Sequence, residues 1–157
     1  MLVKGIAGVA VLLVAIFVSG LTGLSFRLWP TGIADHRLEV TPDVVQRLRD
    51  LQAERKFGPD MTTFYPGAPD ESRRHMAQAA VDSTIETLIV TLPQRPRRST
   101  VLKIMKATLA GFDMPESEER DQLLVYLTRV MAICGVEDSS ELFNVWRYGF
   151  PYNWMNG

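Results

Sequence analysis

Cysteine and histidine, which supply most nucleophilic thiols and metal-binding imidazoles, are nearly absent from this sequence. The 157 residues contain one cysteine, Cys134, and two histidines, His36 and His75. A single cysteine excludes an intrachain disulfide, and its place on the inward stripe of a predicted helix indicates a buried structural thiol. Neither histidine has a second one three or four residues away, so the sequence contains no helical zinc pair. We therefore expect no metal, no cofactor and two surface histidines.

An excess of positive charge is also lacking. The formal net charge is −1, so no basic field would attract nucleic acid, and nucleic acid is not expected as a partner. The densest basic stretch is residues 93–98, Pro-Gln-Arg-Pro-Arg-Arg. This stretch is predicted to be a solvated linker. Contact with anionic lipid or an acidic partner is the alternative, because three clustered cations only approach the number that lipid recognition uses.

Motifs of nucleophilic and phosphate-binding enzymes are missing as well. The body of the chain contains no Gly-x-Ser-x-Gly elbow, no Ser-x-x-Lys pair and no glycine-rich phosphate loop. The acidic residues of segment 116–121 fall in the first turn of a predicted helix, where carboxylates complement the helix dipole. No catalytic residue is assigned on these grounds.

One long uncharged run lies at the N-terminus. Residues 5–26 contain no charged side chain, and about 20 apolar residues suffice to span a bilayer. The run is an uncleaved signal anchor, which its continuation to Phe26 favours, or a signal peptide cleaved near Gly20. The usual sense of a signal anchor places the body outside the cytoplasm, although the arginines that follow the run oppose it. Residues 27–41 are then a juxtamembrane connector, and residues 42–157 are the helical domain.

Hydrophobic periodicity in the rest of the chain predicts an all-α fold, a compact bundle of about five helices preceded by the N-terminal hydrophobic helix. Apolar residues recur at helical spacing, and no stretch alternates apolar and polar residues over the length of a strand. Thr41-Pro42-Asp43 has the composition of a helix start, so the first helix is placed at ~42–55. Segment 57–69 holds three prolines and two glycines and is predicted to be an ordered loop.

Capping residues predict where the other helices begin and end. The predicted starts are Asp70, Ser99, the capping-box pair Asp113 and Glu116 with Ser117 as the alternative, and the second capping-box pair Asp138 and Glu141. The predicted ends are Gly111, Gly135 and Gly149.

Three short motifs of the body resemble those of a known family. The motifs are Tyr65-Pro66-Gly67-Ala68-Pro69-Asp70, then Glu118-Glu119-Arg120, and finally Gly135 to Leu142 leading into Trp146-Arg147-Tyr148-Gly149-Phe150. Together they resemble a bacterial family known only as domain of unknown function 4844, over roughly residues 42–151. The resemblance implies a helical fold and supplies no catalytic residue. It does not include the hydrophobic N-terminus.

Aromatic residues are concentrated at the C-terminus, where segment 143–154 contains six of them. Trp146 and Phe150 are expected to belong to the core, because Trp146 follows Leu142 by one helical turn. The residues beyond them have less reason to be buried. Because exposed tyrosine and tryptophan are typical interface anchors, the candidate partner-binding residues are Phe64, Tyr65, Tyr152 and Trp154.

Two functions are consistent with these observations. The first is an envelope-associated, non-enzymatic protein-binding module, of which an immunity or inhibitor protein is one form. It would be held in the bacterial inner membrane by residues 5–26 with the body on the extracytoplasmic side, or be secreted to the periplasm after cleavage near Gly20. The alternative is an enzyme whose site is assembled from dispersed groups such as Glu71, Arg73, Glu118 and Arg120. A cleft that holds two of these acids with raised pKa values would favour the enzyme.

Overall fold

The architecture is entirely helical in the part of the chain that the structure, a computed structural model, describes: residues 31, 32 and 34–149. Five helices follow one another: α1 (Pro42–Ala53), α2 (Glu71–Thr91), α3 (Arg98–Gly111), α4 (Ser117–Cys134) and α5 (Leu142–Tyr148). The predicted bundle of five helices is therefore confirmed over this range, while the N-terminal hydrophobic helix lies outside the described residues. Among the described helices, none combines the length and the apolar character that crossing a membrane requires.

The helix ends that local sequence signals predict most directly are confirmed. Thr41 occupies the N-cap of α1, and its hydroxyl accepts a hydrogen bond from the Val44 N–H at 3.4 Å. Asp70 caps α2, and its carboxylate accepts from the Arg73 N–H at 2.8 Å. Gly135 ends α4 with φ +74°, the left-handed conformation that glycine adopts without a steric cost.

The start of α3 differs from its prediction, because the capping group comes from a distant residue. Ser99 is not the cap: the helix begins at Arg98, and Arg97 occupies the N-cap without a capping bond from its side chain. The N–H of Ser99 instead donates to Oδ1 of Asp35 at 2.8 Å, and the Arg97 Nε donates to Oδ2 of the same carboxylate at 2.6 Å. Burial raises the pKa of Asp35, but these two donors outweigh it, so the net pKa is lowered.

Predicted boundaries between α3 and α4 are also corrected. Gly111 is the last residue of α3 rather than a left-handed C′ residue, and Phe112 follows in an extended conformation. Helix α4 begins at Ser117, and Glu116 at its N-cap makes no capping bond with its side chain. The capping box predicted from Asp113 and Glu116 is therefore absent, since the Glu116 side chain is engaged elsewhere.

The predicted capping box before α5 is replaced by a local turn. The Asp138 carboxylate accepts from the Ser140 N–H at 2.8 Å, and this contact lowers the pKa of Asp138. Glu141 takes the N-cap position with a left-handed φ of +71° and no capping bond. An aspartate that bonds two residues ahead forms a turn rather than a helix start, which explains why α5 begins only at Leu142.

The hydrophobic core lies between α1, α2, α3 and α4, with α2 in contact with the other three. Its inner faces carry aliphatic residues at helical spacing, fully or almost fully buried: Leu48, Leu51, Val81, Ile85, Leu88, Leu102, Met105, Leu123, Leu127 and Val130. Cys134 is buried as predicted, and burial raises the pKa of its thiol to about 12. Leu142 is buried, and Trp146 is partly buried against the core. Phe150 lies outside the described residues.

The segment that precedes α1 packs against the turn between α2 and α3. The N–H of Leu38 donates to the Pro96 carbonyl at 2.8 Å, and the Arg98 N–H donates to the His36 carbonyl at 3.0 Å. Leu38 itself is buried. Arg98 is only 3 % exposed and bonds the Asp138 carboxylate at 2.9 Å. The last residue of the basic stretch is thus a buried structural arginine and not part of a solvated linker.

Candidate functional site

Residues 58–67, which we call the projecting loop, lie in the connection between α1 and α2 and form a tight turn. The backbones of Asp60 and Tyr65 pair through two hydrogen bonds of 2.8 and 2.9 Å, so residues 61–64 form the tip. The Asp60 carboxylate accepts from the N–H and the hydroxyl of Thr62 at 2.8 and 2.6 Å. These bonds lower the pKa of Asp60. The tip therefore has a defined shape of its own.

Two large apolar side chains flank this tip and face solvent. Met61 is 82 % exposed and Phe64 is 86 % exposed, the highest values among the large hydrophobic residues that are described. Phe64 also has φ +56°. A residue with a Cβ in this left-handed region typically costs ~1–2 kcal/mol, so there is backbone strain at the most exposed of the described large hydrophobic residues.

Tyr65 has the opposite orientation, and its predicted place on the exposed aromatic surface is corrected. The side chain is 5 % exposed, and its hydroxyl donates to Oε1 of Glu119 at 3.1 Å. Burial and the neighbouring Glu119 carboxylate raise the pKa of Tyr65 above its usual value. Because Phe64 turns outward and Tyr65 inward, Tyr65 anchors the projecting loop to α4 and is not part of the exposed surface.

Further contacts hold the loop to the body. The Thr63 hydroxyl donates to Oε1 of Gln122 at 3.3 Å. At the base of the loop, the N–H of Phe57 donates to the Tyr126 hydroxyl at 3.1 Å, and the two rings lie 5.1 Å apart. Gly67 has φ +96°, and a Cβ there would lie 3.1 Å from the Pro59 ring. The loop is therefore bonded to α4 at its tip and at its base.

Glu119 is the anchor that sequence reasoning missed. It is 2 % exposed, and its Oε2 has no hydrogen-bond partner among the described residues. The dipole of α4 favours a carboxylate in this first turn, which was the role predicted for all acids of the segment. The spacing of Glu119 gives a second signal, because this residue lies one helical turn before Leu123 and two turns before Leu127, both buried on the inward stripe of α4.

Of the groups considered for a catalytic site, Glu71 is engaged in ion pairs on the surface. Its carboxylate oxygens contact Arg55 and Arg74, each at 2.8 Å. The hydrogen bond from Arg74 is the main reason that the pKa of Glu71 is lowered. A general acid at neutral pH needs a raised pKa, so the shift of Glu71 is in the wrong direction for that role.

The other three groups of that set have separate partners. Arg73 pairs with Glu116 at the start of α4. Arg120 donates to the Trp146 carbonyl at 3.0 Å and lies 4.4 Å from the centre of its ring. Glu118 accepts from the neighbouring Ser117 hydroxyl at 3.0 Å. These contacts tie α2, α4 and α5 together, and they leave the predicted set divided among different pairs.

A buried lysine was also not anticipated. Lys56 is completely buried, and its Nζ contacts Oδ1 of Asp82 at 2.7 Å and the carbonyls of Gln52 and Glu54 at 2.9 and 3.0 Å. Two carbonyls accept hydrogen bonds from the ammonium, and the Asp82 carboxylate balances its charge, so this lysine has a structural role. The histidines are exposed as predicted, and the described residues contain no cluster of potential metal ligands.

Of the four predicted partner-binding residues, only Phe64 therefore lies on a described and exposed surface. Tyr152 and Trp154 lie outside the described residues. Met61, which sequence reasoning did not select, joins Phe64 at the tip of the projecting loop.

Comparison with known proteins identifies relatives but no activity. The sequence model of a family described as a domain of unknown function, DUF4844, matches residues 39–151. The fold is similar to the crystal structure of a DUF3571 family protein from Acinetobacter baumannii AYE, with a TM-score of 0.63 at 23 % identity over 73 % of this chain and 95 % of that chain. No curated protein matches the sequence.

Proposed function

Because the chain belongs to the DUF4844 family, whose description assigns no activity, we propose a function from the surface itself: a non-enzymatic domain that binds another protein through the projecting loop. The observation that carries this proposal is the exposure of Phe64 and Met61 on a turn that is bonded to the core.

Folding alone gives no reason for this arrangement. A phenylalanine stabilises a fold by removing apolar surface from water, worth ~1.5–3 kcal/mol when it is fully buried. Phe64 is 86 % exposed and gains little of this stabilisation, while its positive φ adds a cost. Backbone strain that the surrounding structure maintains is concentrated at binding and switch sites. Burial of Phe64 in a partner would remove its side chain from water and give the stabilisation that is missing in the isolated chain.

The bonds beneath the loop would favour such binding. Ordering a flexible loop on association costs free energy, and a loop already held in its bound shape avoids much of that cost. The projecting loop is held by Tyr65 and Thr63 on either side of Phe64. The expected partner surface is a small apolar pocket that accepts the phenyl ring and the Met61 side chain.

The proposed location is the bacterial inner membrane, with residues 5–26 as the anchor and the body on the extracytoplasmic side. The uncharged run supports this location, and secretion to the periplasm after cleavage near Gly20 is the alternative. An immunity or inhibitor protein that neutralises a protein acting in the envelope is one form of the proposed function. Protease added to spheroplasts would degrade an extracytoplasmic body and would leave a cytoplasmic one intact.

A quantitative pull-down tests the binding surface. The full chain is used as bait in envelope extracts, alongside the double variants Met61→Ala with Phe64→Ala and Met76→Ala with Val90→Ala. The second pair removes exposed apolar side chains from α2 and is the matched control. We expect a protein that is captured saturably by the wild type and by the control but lost from the loop variant. Equal capture by both variants would contradict the proposal.

A further inference from the structure

A second surface, far from the projecting loop in sequence, concentrates positive charge. A groove of about 530 Å³ lies between the segment before α1, the α2–α3 turn and the start of α3. Four cationic side chains line it, and we call it the basic groove: Arg37, Arg95, Arg97 and Lys103. Within the described part of the chain no carboxylate lines the groove, although the chain as a whole carries a net charge of −1.

Most of this charge has no counterpart within the described residues. Arg97 pairs with Asp35 at 2.6 Å. The other three cations, Arg37, Arg95 and Lys103, have no ion-pair partner in the described part of the chain. Like charges brought together repel one another, so the cluster does not stabilise the fold. Folding brings Arg37 and Lys103 to the pair Arg95 and Arg97, and so turns a weak sequence signal into a site with four cations.

The polar groups that line the basic groove indicate which class of ligand it could bind. The hydroxyl-bearing residues Ser99 and Thr100 also line the groove. The N–H of Ser99 is already taken by Asp35, so the start of α3 is capped and an incoming anion would be held by side chains. Arginine guanidinium groups match the geometry of phosphate oxygens through paired N–H donors. A volume of this size is typical of sites for small ligands.

We propose that the basic groove binds a phosphate group, carried either by a soluble phosphorylated small molecule or by the headgroup of an anionic lipid. The two sources share the same chemistry at the groove. They differ in whether the phosphate group belongs to a soluble molecule or to a lipid in a bilayer, and a binding experiment with one probe of each kind distinguishes them.

The test measures binding to the full chain in a neutral detergent by isothermal titration calorimetry at low ionic strength. The soluble probe is inorganic pyrophosphate, and the lipid probe is short-chain phosphatidylglycerol, with the phosphatidylcholine of equal chain length as its control. The groove variant is Arg95→Gln with Lys103→Gln. The matched control is Arg49→Gln with Lys106→Gln, which removes the same charge from exposed positions outside the groove.

We expect the groove variant to weaken binding at least about tenfold and the control variant to weaken it less than about twofold, because only close charges interact strongly. Binding of pyrophosphate without phosphatidylglycerol supports a soluble phosphorylated ligand, and preference for phosphatidylglycerol over phosphatidylcholine supports a lipid headgroup. The proposal is overturned if neither probe binds, or if both variants weaken binding equally, since that would reflect net charge alone. Circular dichroism of each variant, and of Lys103→Gln alone, checks that the fold is retained.

Discussion

The hydrogen bond from Tyr65 to Glu119 makes a sharp prediction about how the projecting loop is held. Tyr65→Phe keeps the ring but removes the hydroxyl that donates to Oε1 of Glu119 at 3.1 Å. Since Oε2 of this buried residue has no partner among the described residues, the substitution leaves the carboxylate without a donor. A hydrogen bond to a charged group contributes ~1.5–3 kcal/mol, and an unsatisfied buried group costs a similar amount. We expect Tyr65→Phe to lower the free energy of unfolding by about 2–3 kcal/mol.

Urea unfolding of the full chain, followed by circular dichroism at pH 7, measures this loss. The midpoint should fall while the dependence of the free energy on urea stays unchanged, because the folded surface is the same. Tyr126→Phe is the matched control, since its hydroxyl accepts from the N–H of Phe57. The group left unpaired is uncharged, so this substitution should lower the free energy of unfolding by less, about 1–2 kcal/mol. A loss below about 0.5 kcal/mol for Tyr65→Phe, or a larger loss for the control, would refute the reasoning.

Tyr65 should also affect how the free energy of unfolding changes at high pH. Burial and Glu119 raise the pKa of Tyr65 above the value of 10.0 that applies to the unfolded chain. Above that pH the unfolded chain releases the phenolic proton while the folded chain retains it, so the free energy of unfolding falls as the pH rises. Tyr65→Phe should remove this part of the alkaline decline, and a variant that declines as steeply as the wild type would contradict the assignment.

Three further predictions concern a helix cap, a glycine with positive φ and a buried thiol, each of which affects the stability of the fold. Asp35→Ala should lower the free energy of unfolding by ~1–2 kcal/mol at pH 7, and Ser99→Ala should lower it clearly less. Because the pKa of Asp35 is lowered, its contribution to stability is present above pH 3.8 and is lost as the pH falls below that value. Urea unfolding at a series of acidic pH values measures this loss. Gly67→Ala should cost ~1–3 kcal/mol because of its positive φ, whereas Gly58→Ala, which has open space around it, should be close to neutral in the same urea assay. Burial raises the pKa of Cys134 to about 12 from 9.0, so stability should fall as the pH rises above 9.0, and Cys134→Ala should make that fall less steep in unfolding measured from pH 8 to 11.

Helix boundaries set by neighbouring residues were predictable from the sequence. Thr41 and Asp70 bond an N–H three residues ahead, and such contacts depend only on local spacing. The start of α3 depends on Asp35, which lies 64 residues from the N–H it binds. No pattern near Ser99 indicates that contact, so the sequence predicts Ser99 as the local cap, and this prediction is wrong.

The buried charged residues show a second limit of prediction from the sequence. Lys56 and Arg98 occur in charged stretches that are typical of solvated surfaces, yet both are buried, and each pairs with a carboxylate from a distant segment, Asp82 for Lys56 and Asp138 for Arg98. Glu119 is different, since its spacing from the buried leucines of α4 placed it on the inward face. Pattern alone could therefore have identified one of these three residues but not the other two.

The candidate site was predicted in part. Segment 57–69 was expected to be an ordered loop with Phe64 on its surface, and both features are present. Tyr65 was predicted to lie on the same surface because exposed tyrosines are typical interface anchors. The opposite orientations of Phe64 and Tyr65 follow from the positive φ of Phe64 and from the partner that Glu119 provides. The positive φ of Phe64 depends on the closed turn, and the bond of Tyr65 depends on a helix residue 54 positions away. The composition of the loop indicates neither feature.

Site-specific photocrosslinking in living cells tests the central proposal most directly. A photoreactive phenylalanine analogue is placed at position 64 of the full chain, and in a separate strain at position 90, which is also exposed but lies on α2. Binding through the projecting loop predicts a discrete crosslinked protein from position 64 that Met61→Ala diminishes, with no equivalent from position 90. Absence of any adduct at position 64, or the same adducts from both positions, would contradict it.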